Sequence, residues 1–302
     1  MAGASSPARA IMYAFVANLG IAIAKLIAAI YTASGSMFAE AIHSFADSVN
    51  QVLLFIGLKG SQRPADEEHP MGYGKLSYFW SFVVALILFS LGGVYSIYEG
   101  LHKLMDPVLL TDIWIGLTVL GLAICLEGAS FYGASIEAKK MAGERSLFEW
   151  LKQTRNAELV VVLGEDLAAM LGLSIAFAAL FMVWLTNDPV YDAVGSISIG
   201  VLLVIVAVFL GVRLKSLLVG RSAEPDLCTV IYEKIDQDNR ILEVFNMITL
   251  QMGPKIMLAA KVRMRAEMRV AEAVSAINEL EASIKSAHPE VGWCFMEIDD
   301  KD

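Results

Sequence analysis

The 302-residue chain is 57% hydrophobic and carries a net charge of −9. Its mean hydropathy of +0.60 lies beyond that of an ordinary soluble domain. The acidic balance excludes nucleic acid as a partner, because phosphate binding needs a basic face.

Apolar residues crowd into long runs before about residue 218, and a soluble composition follows. Crossing a hydrocarbon core takes roughly 20 apolar residues of helix. The start, MAGASSPARA, is short and polar and leads straight into a full-length span, so no cleavable signal peptide is expected. Six spans are expected, over 11–31, 37–58, 76–101, 112–136, 158–185 and 190–212. Turn residues and charge separate them: Ser34-Gly35-Ser36, Gln62-Arg63-Pro64, Asp106-Pro107, Lys139-Lys140 and Asn187-Asp188-Pro189.

Lys and Arg choose the orientation. With six spans, Arg9, Lys59, Arg63, Lys75, Lys139, Lys140, Arg145, Lys152, Arg155, Arg213, Lys215 and Arg221 share one side, and Lys103 stands alone on the other. Both termini are therefore expected on the cytoplasmic side. Gly92, Gly93, Gly121, Gly128 and Gly172 permit close helix packing within the spans.

The chain divides by composition into a transmembrane domain, 1–218, and a cytoplasmic α+β domain, 219–302. In the second, 225–238 reads as a helix and 241–250 as a strand. Gln251-Met252-Gly253-Pro254 reads as a hairpin turn, 256–265 as a second strand, 269–287 as a helix and 291–298 as a third strand. The α-β-β-α-β order suggests a two-layer, ferredoxin-like α+β domain. Cys125, Cys228 and Cys294 are odd in number and far apart, so each is expected as a small buried hydrophobe. His288, Cys294, Glu297, Asp299 and Asp300 have no diagnostic metal-binding spacing.

Ionisable groups inside a bilayer are costly and point to function. The second span holds Glu40, His43 and Asp47, which fall on one stripe at about 100° per residue. His43 and Asp47 are four apart, so their side chains reach one point beside the helix. A neutral imidazole with a carboxylate suits Zn²⁺ and its first-row neighbours. The fifth span carries Glu165-Asp166 in an apolar stretch, and Asp166 can supply a further ligand. Asn18 and Lys25 lie in the first span, Glu99 near an end of the third and Glu127 near the middle of the fourth. Lys25 is expected to snorkel or to pair with a carboxylate.

Four motifs now resemble the cation diffusion facilitators, proton-coupled exporters of divalent metals. They are Ser34 to Asp47 with Asn50-Gln51 following, His69-Pro70-Met71-Gly72-Tyr73-Gly74-Lys75, Asp188-Pro189-Val190-Tyr191-Asp192, and the α-β-β-α-β domain. Glu40 before the His, Phe79-Trp80, and Gly164 to Gly172 resemble the subgroup related to the mitochondrial zinc transporter of animals. The resemblance implies a transport site of two ligands from the second span and two from the fifth. Here it carries over as His43, Asp47 and Asp166, with Val162 where a ligand stands in the family. Glu165, Glu40, Asn18 or water is left as the fourth ligand, and Glu165 lies about 100° round the helix from Asp166. It further implies a loop site at Asp66 and His69, a homodimer, and Zn²⁺/H⁺ antiport by alternating access with His43 as proton acceptor. Co²⁺, Mn²⁺, Fe²⁺ and Cd²⁺ are alternative cargo ions, and a bacterial inner membrane is the expected location. A metal sensor or interaction protein with a degenerate transport site, and an intramembrane metalloenzyme, are the rival readings; the expectation is of no enzyme activity.

Overall fold

In the computed structural model, residues 7–301 are described. Helices α1 (Pro7–Thr32) and α2 (Gly35–Ser61) come first. The third apolar stretch is α3 (Leu76–Ile87), a π-helical segment (Leu88–Val94) and α4 (Tyr95–Met105). Then follow α5 (Ile113–Ala142), α6 (Leu147–Gln153), α7 (Ala157–Thr186) and α8 (Val190–Gly220). Among the described residues, five helical stretches are long and apolar enough to cross a membrane, and Asn18–Thr32 of α1 is a shorter apolar one. Ala33 and Asn187 sit in the left-handed region, φ 54° and 57°, and stop α1 and α7. Within the third span, expected over 76–101, Leu88–Val94 winds as a wide turn that contains Gly92-Gly93. The seven-residue α6 was not anticipated.

Two units make up the chain. The first takes Met1–Gly57, Trp80–Leu147 and Glu158–Leu214, and the second Leu58–Phe79, Phe148–Ala157 and Lys215–Asp302. Within the first, small residues let the third stretch and α8 touch backbone to backbone. A Cβ added at Gly93 would stand 2.6 Å from the Val204 side chain, and one at Gly200 would stand 2.7 Å from the Gly93 carbonyl oxygen. That is the close approach that glycine permits between membrane helices. The start of α2 is clasped from α8. Asp192 Oδ1 accepts hydrogen bonds from the hydroxyls of Ser34 and Ser36 and from the Ser36 amide, and Oδ2 accepts from the Gly35 amide. A carboxylate there satisfies amides that a helix start leaves open and complements its dipole. Lys103 adds an ion pair to Asp192 at 3.8 Å and donates to the Ala33 carbonyl.

The second unit contains a three-stranded sheet in the order β1 (Ile241–Met252), β2 (Lys255–Met264), β3 (Val291–Ile298). β1 and β2 pair antiparallel; β2 and β3 pair parallel, joined through α10 (Val270–Ala287). Residues of β2 alternate between buried and part-exposed, and Leu258 and Val262 meet Ile231 and Ile235 of α9 (Pro225–Asp236) and Leu280 and Ile284 of α10. The first strand runs two residues further than expected, because Gln251 and Met252 pair with Ile256 and Lys255. Gly253, φ +78°, makes the tight turn, and its backbone lies directly on Gly74 of the loop after α2. The Tyr78 hydroxyl donates to the Gly253 carbonyl at 3.1 Å. Arg155 donates from Nε to Ser222 and from Nη2 to Ala223, tying the α6–α7 connection to the start of the C-terminal segment.

Of the three cysteines, only Cys294 is buried; Cys125 is exposed and Cys228 half-buried, which corrects the expectation for those two. Burial pushes the Cys294 thiol up to about 11. Since the thiolate is the nucleophile, Cys294 should react with thiol reagents at pH 8 roughly a hundredfold more slowly than an ordinary cysteine. Mass spectrometry of timed labelling reads this rate. Gly74→Val should lower the melting temperature of the solubilised protein by several degrees, because its Cβ would meet the Met252 carbonyl oxygen at 2.0 Å. An unchanged melting curve would contradict that packing.

Candidate functional site

Glu40, His43, Asp47 and Asn50 follow one another along α2 at spacings of three and four, so one side of the helix presents them all. His43 is fully buried, and neither ring nitrogen has a hydrogen-bond partner. Its Nδ1 stands 3.7 Å from Asp47 Oδ1, which is also buried and unpartnered. Unsatisfied polar atoms of this kind carry a desolvation cost in an apolar interior.

Asp47 lies on the wall of a cavity of about 110 Å³, with room for several water molecules. Glu165 and Asp166 of α7, Glu127 of α5, Asn18 of α1 and Ser44 of α2 line the same cavity. Glu165 and Asp166 therefore share one cavity, although they are adjacent on the helix. Asn50 explains how: its Nδ2 donates to Glu165 Oε1 at 2.6 Å and holds that side chain toward α2. Val162 is also on the wall, so the position that bears a ligand in the resembled family faces the cavity as an apolar patch.

Not every expected ligand is on the wall. Glu40 does not line the cavity; it is buried 3.5 Å from the Lys25 ammonium, and its Oε1 lies against Gly172 of α7. His43 is one turn from Asp47 and lies off the wall. Lys25 is completely buried and does not snorkel. It donates to Glu127 Oε1 at 2.9 Å and to Ser44 Oγ at 2.7 Å. Among the described residues, no three His, Cys, Asp or Glu side chains enclose a common point closely enough to hold an ion as they stand. The cavity is a field of carboxylates with one imidazole behind it. In a low-dielectric surrounding such a field draws cations strongly.

The loop pair is arranged differently. Asp66 Oδ1 accepts the His69 amide and Oδ2 accepts the Tyr73 hydroxyl, both at 2.7 Å. The Tyr73 hydroxyl, followed by the His69 amide, holds the Asp66 carboxyl below its ordinary range, and the Tyr73 phenol is raised in return. The His69 ring lies tilted against Tyr73, centroids 4.2 Å apart, and the Arg63 guanidinium sits over the Tyr73 ring, 4.4 Å from its centroid. In the C-terminal domain, Asp299 pairs with Lys261 at 2.9 Å, His288 lies 3.8 Å from Glu290, and Cys294 is in the core.

Asn50 and Ser44 stood within the first motif without a role of their own. Both sit on the stripe begun by Glu40, one helical turn from a named residue, and that spacing was the available signal.

The model of the cation efflux transmembrane domain matches residues 11–219. The chain is 34% identical over 246 residues to the mitochondrial proton-coupled zinc antiporter SLC30A9 of Xenopus laevis, covering 81% of this chain and 43% of that protein. The human protein of that name is 31% identical over 264 residues, 87% of this chain and 46% of its own length. Metal tolerance protein C4 of Arabidopsis thaliana is 33% identical over 225 residues, 74% of this chain and 49% of that protein. The chain thus spans less than half the length of these relatives. With a family match over most of its residues, this multi-pass membrane protein belongs to the cation efflux family.

Proposed function

We propose that the chain exports divalent metal as a Zn²⁺/H⁺ antiporter, working by alternating access across six spans. The observation that carries this reading is the carboxylate cavity of Asp47, Glu165 and Asp166, one turn from the unpartnered, buried His43. Zinc is the first choice of ion because animal relatives carry that name. The oxygen-rich wall also suits Co²⁺, Mn²⁺, Fe²⁺ or Cd²⁺. The Lys and Arg bias sets both termini and the 219–302 domain on the cytoplasmic side, of a bacterial inner membrane in our reading. A homodimer completes the proposal, and Asp66 with His69 forms a loop contact for metal in passing.

In this scheme metal enters from the cytoplasm and is held by His43, Asp47 and Asp166; Glu165 stays on Asn50, and the fourth ligand comes from elsewhere on the cavity wall. Bound metal requires a neutral imidazole and ionised carboxylates, so protons compete with it. His43 takes the proton, being the side-chain type that titrates nearest neutral pH. An acidic far side therefore favours release, and the proton gradient drives metal outward. Val162 supports one rival, a metal sensor with a degenerate transport site, which would bind metal without moving it.

Proteoliposome flux separates these readings. Zinc uptake should accelerate when the lumen is acidified, and His43→Ala or Asp47→Ala should abolish it. Full flux in either variant would sink the site, and tight binding without flux would favour the sensor. Val162→Asp restores an acidic residue four before Asp166 and should lower the zinc KM by about tenfold. An unchanged or higher KM would show that this wall does not meet the cargo.

A further inference from the structure

Lys25 has no part in the scheme above, yet it lies at its centre. A buried ammonium needs carboxylate partners. Lys25 has two, and they differ in position. Glu127, at 2.9 Å, is on the cavity wall with Asp47, Glu165 and Asp166. Glu40, at 3.5 Å, does not line the cavity, and its second oxygen is buried without a partner. Ser44 Oγ accepts from the same ammonium at 2.7 Å. One cation is thus shared between a carboxylate that faces the cargo and one that does not.

The geometry points to Lys25 as a tethered counter-cation of the cargo cavity. It neutralises Glu127 while no metal is bound; arriving Zn²⁺ displaces it, Glu127 becomes the ligand that Val162 cannot be, and Lys25 retreats onto Glu40 and Ser44. This rests on the transport reading and assigns that reading its missing ligand.

The physical basis is competition. A divalent ion attracts a carboxylate about twice as strongly as an ammonium at equal distance, so metal wins the exchange. Glu40 then gives the displaced ammonium a second charged partner, and no charge is stranded during the swap. The tether also matters for release. A competitor held on the same chain acts at high effective concentration, and a transport site must bind weakly enough to let its ion go. Lys25 returning to Glu127 helps expel the metal.

The test is a double-mutant cycle on the full chain in proteoliposomes, reading zinc KM and maximal uptake rate. Glu127→Gln should raise the zinc KM about tenfold. Lys25→Gln frees Glu127, so it should lower the KM about tenfold and also lower the maximal rate, because release slows. In the Glu127→Gln background, adding Lys25→Gln should change the KM by less than about twofold. An unaltered KM in Lys25→Gln or in Glu127→Gln overturns the proposal, as does a Lys25 effect that persists without Glu127. Lys25→Gln alone leaves two carboxylates unpaired, and if it is not recovered folded, Glu127→Gln against the double variant decides. A several-fold KM difference between those two overturns it. Zinc uptake by the unaltered chain with no Lys25 effect removes this inference alone; no uptake by the unaltered chain removes the transport reading and this with it.

Discussion

The ammonium of Lys25 is fully withdrawn from solvent, and a charge in that position persists only where opposite charge meets it. It joins three helices. Lys25 belongs to α1, Glu40 and Ser44 to α2, and Glu127 to α5. None of these helices can rotate or slide by a residue without breaking a buried pair. That fixes the stripe of α2, and with it the direction in which Asp47 points. The cavity is where Glu127 of this pairing and Asp47 of α2 gather with the carboxylates of α7.

The first turn of α2 is held as well, by other chemistry. Asp192 meets the amides and hydroxyls at its start, and Lys103 closes the same corner from α4. Behind it, Gly93 and Gly200 bring the third stretch and α8 into backbone contact. The helix carrying His43 and Asp47 is therefore positioned by a capped first turn and by the Lys25 contacts to Glu40 and Ser44 in the turns that follow. Small residues, capping and pairing each do one part of that work, and all are needed before an unpartnered imidazole can be kept in an apolar interior.

Much of this was legible in the sequence because it depends on local information. Apolar runs and their charged breaks fix most helix starts to within two residues, although α5 and α8 run six and eight residues past their expected ends, and the stripe of Glu40, His43 and Asp47 follows from helical period alone. The strand and helix order of the last 80 or so residues follows in the same way, from alternation against a 3.6 period. What could not be read depends on residues far apart. Lys25 and Glu127 are separated by 102 positions, and Asn50 and Glu165 by 115. The sequence left Lys25 to snorkel or to pair, and named no carboxylate as its partner. The shared cavity of Glu165 and Asp166 needs Asn50 to turn one of them, which a helical wheel of the fifth span cannot contain. The π-helical turn is composed of the same apolar residues as its neighbours, with Gly92-Gly93 as its one local mark.

The backbone contact between Gly74 and Gly253 has a practical side. A hairpin tip such as Gly253-Pro254 is the usual place to insert a fluorophore or an affinity handle. Here the tip is already occupied by the loop that leads into the third span. A label placed there would pry that loop away and would report on a damaged molecule. The exposed side chain of Lys301 is the better point of attachment for single-molecule work.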